Sequence, residues 1–466
     1  AVIPHHIPPL PQALQVAPNI QLDPLTSTPD IQTVFNLARQ RAGAGRPGGG
    51  QTGGGQTGGG VQVTYHRRPF IAPDDVVALA YAKLGCGSNL QGYYMYHGGS
   101  HPLGRFSATH ESQATGYPND VPTISYDFQA PLGEHGQVRE HYHGLRLLHL
   151  FLADFGAELA RLPLALPEAQ PAGLDDRATL RWAARSDGHS GFVFVNNYQR
   201  IETLPAHEAV QFGLRLAGRT LVFPSAPVRI PSGFYAIWPF NLELGGIRLV
   251  SATAQPICRL LDGETPCHVF FAREGVPAEF VFDPATVLSC GDFARGFSDA
   301  PSRELAPPHF EGTGGRSSRD AVAEEAGNDH VTVSVHRGVE TVTGPLAVAP
   351  ESMRSLEIRA PEGSRARILL LGERVARRCW KATMWGRERL FLAGDSLLFD
   401  GETLRIHTGH PGEASFAVYP DPGRPLFAAD APLTAARDGI FTRYSISLPR
   451  RSVPVQAKRV QPAAPA

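Results

Sequence analysis

Thr179-Leu180-Arg181-Trp182-Ala183-Ala184-Arg185, then Ser186-Asp187-Gly188, then Gly191-Phe192-Val193-Phe194-Val195-Asn196, reads as two strands joined by a turn. Apolar, aromatic and β-branched side chains recur there with a strand period of two, and the Ser-Asp-Gly cluster supplies the turn. The same short pattern recurs downstream at Leu221–Phe223, Tyr235–Trp238, Ile247–Ala252, Val269–Phe271 and Glu279–Phe282, which predicts a β-rich domain over 164–297. Residues 298–330 are polar and rich in Gly, Pro and charge, the composition of a linker. Beyond them, strand patterns at Val331–Val335, Ser355–Ile358, Ala366–Leu371, Leu390–Phe399, Leu404–His407 and Ser415–Tyr419 predict a β-sandwich domain over 331–450. The Pro- and Ala-rich residues 451–466 read as a disordered tail.

Upstream of the hairpin the period changes. Pro73-Asp74-Asp75 is a helix start, Val76, Leu79, Ala80 and Leu84 follow at helical spacing, and Gly85 stands where a helix commonly stops. Strand-like runs flank it at Val61–Tyr65 and Tyr93–Tyr96, so the order is βαβ, with parallel strands and a right-handed crossover expected. Val138 to Leu162 predicts a long amphipathic helix with Leu145, Leu148, Leu152, Phe155 and Leu159 on one stripe. The segment 61–163 is therefore α/β. Residues 1–60 hold one short helix after Thr28-Pro29-Asp30 and a Gly-rich low-complexity repeat from Gly48 to Gly60, read as a flexible linker.

The chain has 466 residues, with 43 Lys plus Arg against 44 Asp plus Glu, a net charge of −1. That balance gives no electrostatic reason to expect nucleic acid or an anionic membrane surface as partner. No apolar run approaches the roughly 18 residues of a membrane span. Five cysteines without a C-x-x-C pair indicate neither a disulfide framework nor a zinc knuckle. With no basic and apolar leader at the start, a cytoplasmic location is expected, and the opening Ala1 is read as the start of a processed or incomplete chain.

Several local patterns lack the context their chemistry needs. Gly43-Ala44-Gly45-Arg46-Pro47-Gly48 fits G-x-G-x-x-G, but it follows a helix and precedes a linker, the reverse of a dinucleotide site. Asp154-Phe155-Gly156 lies inside the amphipathic helix with no Gly-rich loop upstream. His97, His101, His110, His135, His141, His143 and His149 are dense, but no third ligand has diagnostic spacing, so no metal is expected and no cofactor is called for. The aromatic and acidic runs Tyr93-Tyr94-Met95-Tyr96-His97-Gly98-Gly99 and Ser125-Tyr126-Asp127-Phe128-Gln129-Ala130-Pro131-Leu132-Gly133-Glu134 are more informative. Hydroxylated aromatics on loops after strand ends suit stacking on a sugar, and they equally suit a packed loop surface with no ligand.

At three stretches the chain closely resembles the bacterial family 35 glycoside hydrolases, the β-galactosidase-like enzymes. They are Tyr94-Met95-Tyr96-His97-Gly98-Gly99-Ser100, Glu111-Ser112-Gln113-Ala114-Thr115-Gly116-Tyr117-Pro118-Asn119-Asp120 and Ser125 to Leu132. The similarity extends to Phe192-Val193-Phe194-Val195-Asn196-Asn197-Tyr198 and Ile237-Trp238-Pro239-Phe240-Asn241. It implies a retaining glycosidase on a (β/α)8 barrel with attached β-sandwich domains, working with two glutamates about 5–5.5 Å apart. It also implies Tyr96, His97, Tyr126 and Phe128 as substrate-binding residues. Related enzymes often carry Tyr where this chain has Phe128.

The resemblance puts Gln56 at the nucleophile position, in Gln56-Thr57-Gly58-Gly59-Gly60-Val61-Gln62 followed by Val63-Thr64-Tyr65-His66-Arg67-Arg68-Pro69. Glutamine can hydrogen-bond a sugar hydroxyl but can neither form a glycosyl ester nor stabilise an oxocarbenium ion by charge. The Asn-Glu pair that would carry the acid/base is absent from the residues before it. The expected fold is thus an α/β partial (β/α)8-barrel remnant over 61–163 followed by all-β sandwich domains, with apolar strand edges and helix faces left uncovered. The expected function is a truncated glycoside hydrolase that cleaves terminal β-galactosides only if a second chain supplies the rest of the barrel. The alternative is a non-catalytic carbohydrate-binding or structural remnant of such an enzyme.

Overall fold

In the computed structural model the described residues are 56–57, 71–100, 125–173, 175–200, 202–294, 341–342, 346, 348–408, 412–428 and 430–448. The expected strands at Val61–Tyr65 and Val331–Val335, the linker 298–330 and the tail 451–466 lie outside them, as does the first segment apart from Gln56 and Thr57. The chain divides into two compact units, Ala1–Arg377 and Arg378–Ala466.

The expectation of an α/β barrel remnant is corrected by the structure. The described residues are 49% strand and 13% helix, with three helices and no barrel, in β-sandwich-like sheets. The first unit opens with β1 (Gln56–Thr57), the helix Pro73–Gly85, β2 (Tyr93–Tyr94), β3 (Gly99–Ser100), β4 (Ser125–Tyr126) and the helix Glu140–Leu159. Parallel pairing does occur, but it joins β1 to β2 through only Gln56↔Tyr93 and Thr57↔Tyr94. The first long helix instead packs on an antiparallel sheet built from the downstream strands, and the second lies against the strand Gln255–Asp262 while setting Phe151 and Phe155 on Phe192 of that sheet. The apolar faces of both helices are covered within this chain, which is the physical reason that no further barrel units are needed.

That sheet is made of β5 (Leu164–Ala165), β6 (Arg181–Ser186) and β7 (Gly191–Asn196), then β10 (Tyr235–Glu243), β11 (Arg248–Ala252), β14 (Phe280–Phe282) and β16 (Thr341–Val342). Between β7 and β10 the chain makes a separate hairpin, β8 (His207–Leu216) with β9 (Arg219–Ile230). The order across the sheet is β16-β14-β11-β10-β7-β6-β5. A second, five-stranded sheet runs β12-β13-β18-β17-β15, from β12 (Gln255–Asp262), β13 (Thr265–Ala272), β15 (Ser289–Ala294), β17 (Met353–Arg359) and β18 (Arg365–Gly372). Its β13–β18 pair is parallel and brings residues 353–372 into the first unit. A single turn of helix, Glu373–Ala376, closes the unit.

Every residue of β7 is buried because both faces of its sheet are covered. Phe192 and Phe194 face the helices, with Phe151 edge-on to Phe192 at 5.3 Å between centroids. Gly85 lies so close to this surface that a Cβ there would stand 2.7 Å from Cβ of Phe194. Val193 and Val195 face the other way, against Phe212, Leu214, Leu221 and Phe223 of the β8–β9 hairpin. Trp238 of β10 joins that second core, its ring 5.8 Å from Phe212. Full burial of each such side chain contributes about 1.5–3 kcal/mol.

Arg185, at the end of β6, ties the helices to the sheet. Its guanidinium is buried and donates to Leu84 O at 2.9 Å, Leu159 O at 2.9 Å, Leu162 O at 2.7 Å and Asn89 Oδ1 at 2.7 Å. Leu84 and Leu159 are in the last turns of the two long helices, whose carbonyls lack partners within the helix and carry the negative end of the dipole. At the opposite end, Asp75 accepts from Ala72 N at 2.7 Å and caps the first helix, while Tyr235 donates to Asp74 and Tyr198 to Asp75, each at 2.5 Å.

The second unit is all β. β19 (Cys379–Met384), β20 (Arg387–Leu392), β23 (Glu413–Tyr419), β26 (Thr434–Asp438) and β27 (Phe441–Ser447) form a sheet in the order β19-β20-β23-β27-β26. β21 (Ser396–Asp400) pairs with β22 (Thr403–His407), and β24 (Phe427–Ala428) with β25 (Ala431–Pro432). The run Leu390–Phe399, expected as one strand, is broken between β20 and β21, where Gly394-Asp395 bends the chain. Phe391, Phe399, Phe416 and Tyr444 make the core. The buried Arg389 donates to Met384 O at 3.1 Å, Pro420 O at 2.6 Å and Asp421 O at 2.7 Å.

His268 of β13 makes the first unit sensitive to acid. Burial, with Arg259 nearby opposing a second positive charge, pushes its imidazole down to about 4, and the attraction of Asp154 does not outweigh them. An unfolded histidine titrates near ~6.5, so between that pH and about 4 the unfolded chain binds a proton that the folded chain refuses. Stability from this group is complete above pH ~6.5 and falls as the pH drops through the window. Urea midpoints at pH 7 and pH 4.5 are expected to differ less in His268→Gln than in the parent chain; equal differences would contradict the assignment.

Candidate functional site

The two segments singled out by sequence, 93–100 and 125–134, meet in the first unit. Gly98 N donates to Leu132 O at 2.7 Å and Leu132 N to Tyr96 O at 3.0 Å, bridging His97 to Leu132 in the parallel sense. One step on, β3 pairs antiparallel with β4, Gly99 opposite Tyr126 and Ser100 opposite Ser125. Gly98 is required for this approach, since a Cβ there would lie 2.4 Å from Asp127 Oδ1 and 2.8 Å from Glu134 N. Three non-glycine residues in these loops have positive φ: Met95 at 69°, Phe128 at 49° and Gln129 at 59°. Such conformations cost on the order of 1–3 kcal/mol each and persist only where surrounding contacts hold them.

The contacts that hold them are polar. Glu134 accepts hydrogen bonds from the hydroxyls of Ser100 and Ser125, and its own N–H donates to Asp127 Oδ1 at 2.9 Å. Asp127 also takes the Arg139 guanidinium, with NH1 at 3.2 Å and NH2 at 2.5 Å, and NH1 of Arg139 reaches Ala130 O at 2.6 Å. Gln129 accepts from Ile71 N at 3.2 Å, which anchors the turn to the start of the first helix. Both carboxylates are thus engaged by protein donors. The two serine hydroxyls hold the Glu134 carboxyl below the usual carboxylate range. A general acid needs the opposite, a raised pKa, and a nucleophile needs an approachable oxygen.

Behind this polar rim stands an aromatic group. Tyr93 and Tyr96 lie 5.3 Å apart, Tyr96 and His149 5.8 Å, and Tyr96 and Tyr142 6.3 Å between centroids. The Tyr93 hydroxyl is 3.0 Å from His149 Nε2. Burial raises the Tyr93 and Tyr96 phenols well above their ordinary value and lowers His149, so these groups are neutral at pH 7 and serve as hydrogen-bonding rather than charged groups.

The structure places the sequence-predicted residues as follows. Tyr96 is half-buried in the aromatic group, and His97 is exposed with Nδ1 turned onto Gly98 O. Tyr126 pairs through its backbone with Gly99, and Phe128 is buried in the positive-φ turn. Gln56 is aligned through its backbone with Tyr93, on the strand beside the tyrosine loop. Ser100 and His149 were named only within a resembling stretch and a histidine cluster, while Arg139, Tyr142 and the joint role of Asp127 and Glu134 were not singled out. The adjacent Gly98-Gly99 was the available signal, because a double glycine opposite an acidic turn marks close backbone approach.

Among the described residues no group of His, Cys, Asp and Glu converges to hold a metal. The five cysteines are buried free thiols, and burial pushes Cys86 up to about 12. No described helix is long and apolar enough to cross a membrane. No protein-family model and no curated protein matches the chain.

The Glu134 carboxyl gives a direct check on the loop geometry. Its folded pKa is lowered, so the stability it contributes is present above the unfolded value of ~4.3 and is lost as the pH falls through the folded one. Carbon-13 carboxyl titration is expected to place its midpoint below ~4.3, and Ser100→Ala with Ser125→Ala to move it back up. A midpoint unchanged by the double substitution would show that the serines do not hold the group.

Proposed function

We propose that this chain is a β-galactosidase-like protein, of the family 35 glycoside hydrolase type, that recognises β-galactosides without hydrolysing them by itself. The observation that carries the reading is the state of the two carboxylates where the described resembling stretches, 94–100 and 125–132, meet; the stretch Glu111–Asp120 lies outside the described residues. Asp127 is held by Arg139 and by Glu134 N, and Glu134 by Ser100 and Ser125. Both brace loops, and a retaining mechanism needs two carboxyl groups facing a sugar instead. Gln56 at the nucleophile position supplies none.

What remains suits recognition. The neutral tyrosine hydroxyls can donate to and accept from sugar hydroxyls, and aromatic faces suit the apolar face of a galactoside. His97, next to Tyr96 in the chain, is exposed. Hydrolysis would need both carboxylates from a second polypeptide.

Two measurements test the reading together. The chain alone is expected to release no nitrophenol from a nitrophenyl β-galactoside above the blank. Titration with methyl β-D-galactoside is expected to shift NMR signals of residues 93–100 and 125–134, and His97→Ala and Tyr96→Phe to weaken binding about three- to tenfold each. Turnover by the unmodified chain, or no response of these loops at saturating sugar, would overturn it.

A further inference from the structure

A polar cleft lies at the far end of β10 in the seven-stranded sheet. β10 starts at Tyr235, bonded to Asp74 at the start of the first helix near Ile71 and the tyrosine loops, and ends at Glu243 about 25 Å away at ~3.3 Å per residue. There a cleft of about 270 Å³ is lined by His189, Ser190, Leu216, Arg219, Asn241 and Arg248, together with Ala217. We propose that this cleft is a binding site for a carboxylate-bearing monosaccharide unit, a hexuronic acid, separate from the galactoside site.

The cleft is held in shape before any ligand arrives. In the β6–β7 turn, Asp187 Oδ1 accepts from His189 N and Ser190 N, both at 2.8 Å, and Ser186 Oγ accepts from Gly188 N at 2.9 Å. Ala217 N of the β8–β9 turn donates to Gly188 O at 2.8 Å, so two turns from different hairpins are tied together. Asn241 links the third wall, with Nδ2 donating to His189 O at 2.5 Å and Oδ1 accepting from Arg219 NH2 at 2.8 Å. Asn241 does this at φ 49°, a conformation that asparagine tolerates better than most residues but that still costs energy inside a strand. Phe240 on one side of it belongs to the hairpin core and Leu242 on the other to the helix core, so the kink re-aims the strand and turns the amide into the cleft wall.

The charges select the ligand. Arg248 has a distant partner, Asp283 at 3.7 Å, whereas Arg219 has no carboxylate within ion-pair distance among the described residues. The lining itself holds two guanidiniums and no carboxylate; Asp283 answers Arg248, and Asp187 is taken by the N–H groups of His189 and Ser190, which leaves Arg219 to meet a ligand carboxylate. Ser190, His189 and Asn241 add groups that hydrogen-bond hydroxyls, and Leu216 gives one apolar wall for the C–H face of a sugar ring. The volume is just below the roughly 300–1,000 Å³ of sites for drug-sized ligands, which fits a single sugar unit.

The test uses the full chain at low salt, titrated in parallel with galacturonate, galactose and inorganic sulfate while backbone NMR signals and heats are followed. Galacturonate is expected to shift residues 187–190, 217–219 and 241, with galactose and sulfate at least about tenfold weaker there. Arg219→Gln and Arg248→Gln are expected to weaken galacturonate at least about tenfold each, with the thermal midpoint unchanged in Arg248→Gln, whose side chain is exposed and outside the wall network. Equal binding of sulfate would mean a site for any anion, and equal binding of galactose would mean that the charge is unused; either overturns the proposal. So does galacturonate binding that ignores both substitutions. Failure here leaves the tyrosine loops untouched, since His97→Ala and Tyr96→Phe report on them separately.

Discussion

One buried cation organises the first unit. The Arg185 guanidinium stands where the last turns of two helices meet the end of β6, and it satisfies carbonyls from both together with Leu162 and Asn89. Helix ends buried without partners are costly, and a cation placed there also meets the negative end of each dipole. Burial works against the charge and lowers its pKa, but a guanidinium remains protonated at any ordinary pH. Phe192 and Phe194 can pack on the helices because this arginine fixes how the helices lie on the sheet. The opposite end of the first helix is fixed by Asp74 and Asp75 through Tyr235 and Tyr198.

Much of this architecture is legible in the sequence, for physical reasons that can be named. β7 follows from the alternation of Phe192-Val193-Phe194-Val195, and the first helix from Pro73-Asp74-Asp75 and Gly85, since these patterns are local. The amphipathic stripe of Leu145, Leu148, Phe155 and Leu159 fixes the second helix but not what it covers. Nothing local in that stripe distinguishes the sheet of a sandwich from the strands of a barrel, and there the reading failed. The parallel pairing of β13 with β18 joins residues about a hundred positions apart, with strands in between that could have paired instead. Such choices are made by the packing of the whole unit.

The site divides in the same way. Its loops were visible as aromatic and acidic runs flanking a double glycine, and Tyr96, His97, Tyr126 and Phe128 fall on them. The function of Asp127 and Glu134 was not visible, because it depends on Ser100 across 34 residues and Arg139 across 12. A carboxylate is read as catalytic or structural by what surrounds it, and here hydroxyls, an amide and a guanidinium surround both. The neutral tyrosines keep hydrogen-bonding capacity without charge.

The dependence of the first unit on Arg185 is tested most directly by amide hydrogen exchange in an Arg185→Met chain, which keeps apolar bulk and removes the donors. The account predicts that residues 81–85 and 155–159 lose protection together while β23 and β27 of the second unit keep theirs. Retained protection in both helix ends, or loss in only one of them, would contradict it.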